Sequence, residues 1–203
     1  SFLLENVVLA LPSRQTRLNE SRIEIGPAAR VHIAGEHGCG KTLLFRALAG
    51  LWSAGEGRIL APAETRISFV PKRAFIPDLS LREILAYPDA PAAYAETDIL
   101  AALRRFNLDY LAGALDRDAS WSRELADPER QALVFARLLL HRPDFIVIDE
   151  AIDALSPETK AVAMDVFRRE LKSSALIYIS GPRDPDLLFT QHYRLISAAQ
   201  VAA

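Results

Sequence analysis

Eight consecutive residues, Gly35-Glu36-His37-Gly38-Cys39-Gly40-Lys41-Thr42, have the types and spacing that hold a phosphate. They fit the pattern G-x-x-x-x-G-K-[ST] and lie between an apolar run, Arg30 to Ala34, and another that starts Thr42-Leu43-Leu44-Phe45. Glycines let the backbone curl until successive N–H groups point at a β-phosphate, and a helix opening behind them adds partial positive charge. Lys41 would reach the β- and γ-phosphates, and Thr42 would offer its hydroxyl to Mg²⁺. The chemistry these residues suit is binding of a nucleoside triphosphate.

Far downstream, Phe145-Ile146-Val147-Ile148-Asp149-Glu150 reads as a buried strand ending on two carboxylates. In a phosphate-loop enzyme such a strand is expected beside the loop strand, where Asp149 would hold Mg²⁺ directly or through water and Glu150 would orient or deprotonate an attacking water. Alone, an apolar strand ending in Asp-Glu means little, because acidic residues often cap strands. Paired with the loop it becomes a strong signal.

Positioning these groups takes alternating strands and helices. Short β-type runs occur at Leu3–Leu11, Arg22–Ile25, Arg30–Ala34, Gly57–Leu60, Arg66–Val70, Phe145–Ile148, Leu176–Ile179 and Tyr193–Ile196. They predict an α/β fold: a phosphate-loop NTPase core with an antiparallel β edge. Between 81 and 125, Ile84, Leu85, Ile99, Leu100, Leu103, Phe106, Leu108 and Leu111 recur at helical spacing. The expected division is an α/β core of 1–80 and 126–203 with an inserted α-helical subdomain at 81–125.

At 203 residues, half of them apolar, the chain suits one core domain with such an insert. A net charge of −2 gives no electrostatic footprint for nucleic acid. The single cysteine, Cys39, excludes an intramolecular disulfide and fits a reducing compartment. It reads as a small filler of the loop, not a redox centre. No apolar run approaches the ~20 residues that span a bilayer, and there is no secretory signal. The chain begins Ser1-Phe2-Leu3-Leu4 without methionine and enters strand-like sequence at once. It is expected to be the C-terminal part of something longer.

Further segments carry a family resemblance. Ala49-Gly50-Leu51-Trp52 followed by Gly55-Glu56-Gly57-Arg58-Ile59 resembles the stretch after the phosphate loop in ABC-transporter nucleotide-binding domains. Phe69-Val70-Pro71-Lys72-Arg73-Ala74-Phe75-Ile76-Pro77 and Leu81-Arg82-Glu83-Ile84-Leu85-Ala86-Tyr87-Pro88 are similar to the Q-loop region of one subgroup. That subgroup holds the peroxisomal fatty-acyl transporters (subfamily D) and bacterial relatives that import peptides or cobalamin. Phe135-Ala136-Arg137-Leu138-Leu139-Leu140-His141-Arg142-Pro143, leading to Asp149, fits it too. The resemblance implies ATP and Mg²⁺ as ligands and a transmembrane domain fused N-terminally. It also implies a second nucleotide-binding domain in a head-to-tail dimer, at the cytoplasmic face of a membrane such as a bacterial inner membrane.

Set against the family pattern, several positions depart. The Q-loop glutamine aligns with Lys72, which has only donors and cannot ligate a cation. The signature Leu-Ser-Gly-Gly-Gln aligns with Leu125-Ala126-Asp127-Pro128-Glu129. In the family this loop clamps the γ-phosphate bound to the opposing subunit. Ala126 lacks a hydroxyl, Pro128 lacks an N–H, and Asp127 puts a carboxylate where a phosphate docks. Such a like-charge pair at ~4 Å, with an effective dielectric near 20, is worth on the order of 4 kcal/mol. Asp127-Pro128-Glu129 reads instead as a helix start, with Asp127 the N-cap and Pro128 the first helical residue. The D-loop aspartate aligns with Ser156 and the H-loop histidine with Pro182, next to Arg183; His192 reads as packing or surface. No aromatic precedes the loop to stack on adenine, Leu11-Pro12 standing in that place.

Two functions are therefore expected. The first is the ATP-binding domain of an ABC transporter, coupling ATP binding, and hydrolysis if it turns over, to substrate movement. The alternative is a nucleotide-binding but hydrolysis-deficient structural or regulatory half. An unrelated GTPase is disfavoured, since no Asn-Lys-x-Asp occurs for guanine.

Overall fold

A computed structural model describes residues 1–11, 14–52, 54–182 and 186–199. They form two compact units. The first comprises Ser1–Pro71, Asp144–Glu150 and the chain from Ser173 onward; the second comprises Lys72–Pro143 and Ala151–Lys172.

The first unit holds nine strands: β1 (Phe2–Leu11), β2 (Arg14–Leu18), β3 (Arg22–Ile25), β4 (Arg30–Gly35), β5 (Gly55–Leu60), β6 (Ile67–Val70), β7 (Phe145–Asp149), β8 (Ala175–Ser180) and β9 (Gln191–Ala199). One helix, α1 (Lys41–Leu48), joins them. The sheet order is β3-β1-β2-β9-β4-β8-β7-β6, with β5 paired to β1. β9, β4, β8, β7 and β6 run parallel, while β1, β2, β3 and β5 make the antiparallel edge. Every residue of β7 and β8 is buried. This is why they read as unbroken apolar runs: a central parallel strand is covered on both faces. β3 sits at an edge and alternates, with Ile23 and Ile25 inside and Arg22 and Glu24 outside. Phe2, Leu4, Val31, Ile33, Val147 and Ile177 pack with Leu44, Ala47 and Leu48 of α1 into one core. That burial fixes the direction in which α1 leaves its loop.

β2 was not predictable as a strand, because Arg14-Gln15-Thr16-Arg17-Leu18 has no apolar run. Only Thr16 and Leu18 face inward, and pairing on both sides, with β1 and β9, sustains it.

The second unit is helical: α2 (Leu81–Ala86), α3 (Glu96–Arg105), α4 (Trp121–Glu124), α5 (Asp127–His141) and α6 (Pro157–Arg168), with 3₁₀ turns at Pro91–Ala93 and Asp109–Ala114. It takes in the predicted helical segment 81–125 and also α5 and α6. Ser80 and Glu83 cap α2 reciprocally: the Glu83 N–H donates to Ser80 Oγ at 3.3 Å, and the Glu83 carboxylate accepts from the Ser80 N–H at 3.0 Å. Buried Trp121 donates its indole N–H to Leu79 O at 3.0 Å. Phe106, Phe135 and Phe167 pack in sequence, the first pair tilted and the second edge-to-face, with centroids 6.3 and 6.1 Å apart.

Candidate functional site

β4 lies between β8 and β9 and ends on Gly35, so the loop after it springs from inside the sheet and not from an edge. Gly38 (φ 73°) and Gly40 (φ 99°) take left-handed conformations that side chains resist. A Cβ on Gly35 would lie 2.4 Å from Cys39 Sγ, so the buried thiol fills the hollow that the glycine leaves. Burial pushes the Cys39 thiol up from its ordinary range, the nearby Lys41 charge opposing only in part. It therefore stays protonated, in keeping with a filler. α1 has no side-chain cap and no acidic residue in its first turn. Its free N–H groups and dipole face the loop.

Lys41 is 8% exposed, and its Nζ donates to Gly35 O and Glu36 O, both at 3.0 Å. It also pairs with Glu150 Oε1 at 3.2 Å. The ammonium is thus held across the loop with its three donors engaged. The Thr42 hydroxyl donates to Asp149 Oδ2 at 2.8 Å. Asp149, 1% exposed, ends β7, and Glu150 follows at φ 52° with its N–H on Ile179 O at 2.9 Å. That unusual backbone turns the Glu150 side chain toward Lys41 instead of continuing the strand. Loop lysine, loop threonine and both carboxylates therefore meet, although β7 is not the neighbour of β4 as expected: β8 lies between them. A hydroxyl and a carboxylate oxygen in contact are hard donors suited to Mg²⁺.

The sequence profile of the ABC transporter family matches residues 18–153, the span that holds loop, helices and carboxylate strand. The chain belongs to the ABC transporter family. An uncharacterized ABC transporter ATP-binding protein of Haemophilus influenzae is 30% identical over 87% of this chain and 30% of its own length. Human ATP-binding cassette sub-family D member 3 is 30% identical over 77% of this chain and 25% of its own length. The chain thus spans about a third or less of these curated relatives. A solved bacterial Atm1-family ABC exporter with ATP bound superposes with a TM-score of 0.71, over 89% of this chain and 34% of that one. At 21% identity that likeness speaks to the fold alone. Among the described residues no helix is long and apolar enough to cross a membrane.

The positions read from the sequence as departures from the ABC pattern have the following surroundings. Lys72 is exposed, and its carbonyl accepts from the side-chain amide of buried Gln131 at 3.3 Å. The signature segment corrects the sequence reading by one residue. Ala126 is the N-cap of α5, Asp127 the first helical residue and Pro128 the second. Ala126 has no side-chain acceptor to cap with. Instead the Glu129 carboxylate reaches back to accept from the Ala126 N–H at 2.7 Å. Asp127 is left to point outward, its side chain 87% exposed and paired with Arg130. Arg130 also donates to Ser122 O, and the Tyr110 hydroxyl donates to the Glu129 carboxylate. Desolvation, with Glu129 beside it, pushes the Tyr110 hydroxyl up to about 12.

Ser156 caps α6, its Oγ accepting from Thr159 N–H at 3.2 Å. Pro182 is exposed just beyond β8, and His192 is exposed on β9. Pro12 and Arg183 lie outside the described residues. A cleft of about 990 Å³ runs along the flank of the loop, and its aromatic lining, Phe189 and Tyr193, comes from near the C-terminus. The sequence reading missed β2: the Thr16 hydroxyl donates to Cys39 O at 2.7 Å, and the Arg14 guanidinium donates to Gly38 O. The only available signal was Thr16 and Leu18 spaced two apart among polar residues.

Proposed function

We propose that this chain is the ATP-binding domain through which a longer transporter couples ATP binding and hydrolysis to substrate movement across a membrane. The observation that carries the reading is the Thr42–Asp149 hydrogen bond of 2.8 Å beside a lysine held across a glycine loop. In this reading, backbone N–H groups from Gly35 to Thr42 surround the β- and γ-phosphates, and Lys41 exchanges its loop carbonyls or Glu150 for phosphate oxygens. Thr42 and Asp149 hold Mg²⁺, which would neutralise charge on the phosphates. Glu150, released from Lys41, orients the attacking water. The division into an α/β core of 1–80 and 126–203 and a helical subdomain at 81–125 belongs to the same reading. So do a fused transmembrane domain, a second nucleotide-binding domain as partner, and a place at the cytoplasmic face of the membrane.

Phosphate release by the reconstituted transporter tests the proposal. Release should require Mg²⁺, and Glu150→Gln should lower it by about 10² or more while ATP still binds. Release that ignores Mg²⁺, or that Glu150→Gln leaves unchanged, would overturn it.

A further inference from the structure

We infer that β2 is a clamp on the outer face of the phosphate loop. Arg14 and Thr16 are positioning residues for nucleotide binding, acting through the loop backbone that they hold; the inference rests on the nucleotide-site reading above. The two residues are two apart on one strand, so their side chains leave the same face. They donate to consecutive peptide carbonyls, Arg14 to Gly38 O and Thr16 to Cys39 O, the latter at 2.7 Å.

In a trans peptide the carbonyl and the following N–H point in opposite directions. Holding Gly38 O outward turns the Cys39 N–H inward, where it closes the loop on Glu36 O at 3.2 Å. Holding Cys39 O outward turns the Gly40 N–H to the inner side, toward the place where α1 begins. Two donors on β2 thereby fix the aim of two loop amides.

The glycines bear the same imprint. A Cβ on Gly40 would come within 3.2 Å of Thr16 Oγ1, and one on Gly38 within 3.5 Å of the Arg14 guanidinium. The approach is tight at Gly40 and an ordinary van der Waals contact at Gly38. It is also anchored: Thr16 sits opposite Leu9 of β1 and Ser197 of β9, and β9 pairs in turn with β4, which feeds the loop. Clamp and loop are therefore parts of one sheet. Thr16 is fully buried, so water cannot replace its hydroxyl. Arg14 is only half-buried, so its loss is partly made good by solvent.

The test is titration of the 203-residue chain with ATP–Mg²⁺, alongside the melting temperature of each variant without nucleotide. Thr16→Val keeps shape and removes the donor; it should raise the Kd about tenfold. Thr16→Ser should restore affinity to within about twofold, because the hydroxyl returns. Arg14→Gln, at the open end of the strand, should raise the Kd about threefold and does not depend on a buried change being tolerated. Thr16→Val that lowers the melting temperature while binding ATP like wild type would overturn the inference. So would a serine variant that fails to rescue, or, should Thr16→Val not fold, wild-type affinity in Arg14→Gln. If wild type itself does not bind ATP, the nucleotide-site reading fails and the clamp with it.

Discussion

Replacing Thr42 by valine separates the loop hydroxyl from everything else in the site. The change is nearly isosteric and removes one donor, that to Asp149 Oδ2 at 2.8 Å. A hydrogen bond to a charged group is worth about 1.5–3 kcal/mol net when neither partner can be rehydrated. Here Asp149 is 1% exposed, but Thr42 is exposed, so water reaches one side of the contact. The cost should fall to about 1 kcal/mol, which for a chain of this size lowers the melting temperature by about 2–4 °C. The functional loss is larger. If Thr42 and Asp149 share Mg²⁺, losing one oxygen ligand should cost at least the about 10–100-fold in metal affinity that even outer partners contribute. Wild-type ATP affinity should rise with Mg²⁺, Thr42→Ser should keep that rise, and Thr42→Val should lose most of it. Fluorescent-nucleotide titrations with and without Mg²⁺, paired with thermal melts, read both quantities. A valine variant with undiminished Mg²⁺ dependence would refute the metal assignment, and an unchanged melting temperature would refute the estimate for the hydrogen bond.

Restoring Pro182→His together with Ala126→Ser, Asp127→Gly and Pro128→Gly in the reconstituted transporter should raise ATP turnover by about 10² or more, since one γ-phosphate donor is typically worth about 10²–10³. Turnover already at that level in wild type would show that these positions do not limit it. Glu150→Gln should leave the chain monomeric with ATP in light scattering, because Asp127 would meet the opposing γ-phosphate with like charge and Pro128 has no N–H to offer it; a stable ATP-dependent dimer would contradict this. Cys39 should react with iodoacetamide at pH 8 at least about tenfold more slowly in the folded chain than in the denatured one. Its folded pKa is raised, so the stability it contributes is complete below the ordinary value of about 8.5 and is lost as pH climbs through the raised one. Equal labelling rates would show the thiol to be neither buried nor protonated.

The loop and the carboxylate strand were legible because their chemistry fixes residue types at fixed spacing. Gly38 and Gly40 need left-handed backbone, and Phe145 to Ile148 must be apolar on both faces. In the stretch from 81 to 125 the periodicity located part of the helix: Ile84 and Leu85 fall buried in α2 and Ile99 and Leu103 in α3, whereas Leu100 is half-buried and Phe106 and Leu108, though buried, lie between helices. The resemblance to the ABC transporters, subfamily D included, holds in the relatives found. β2 was not legible, because its stability comes from neighbours on either side and not from its own residues. Nor was the register of α5. Asp-Pro suggested a cap at Asp127, but the Glu129 carboxylate fixes the cap one residue earlier, a contact set by rotamer and not by composition. The pairing of Lys41 with Glu150 depends on the φ of 52° at Glu150, which no residue type announces.

The central claim is that a nucleotide's phosphates sit in the Gly35–Thr42 loop under Lys41. Calorimetric titration of the chain with ATP–Mg²⁺, wild type against Lys41→Ala, tests it most directly. Lys41 supplies the buried ammonium of the loop, held by Gly35 O, Glu36 O and Glu150. Wild type should saturate at a single site with modest affinity, and Lys41→Ala should show at least about a hundredfold weaker binding. Saturation that persists unchanged in Lys41→Ala, or no heat at all with wild type, would contradict the account.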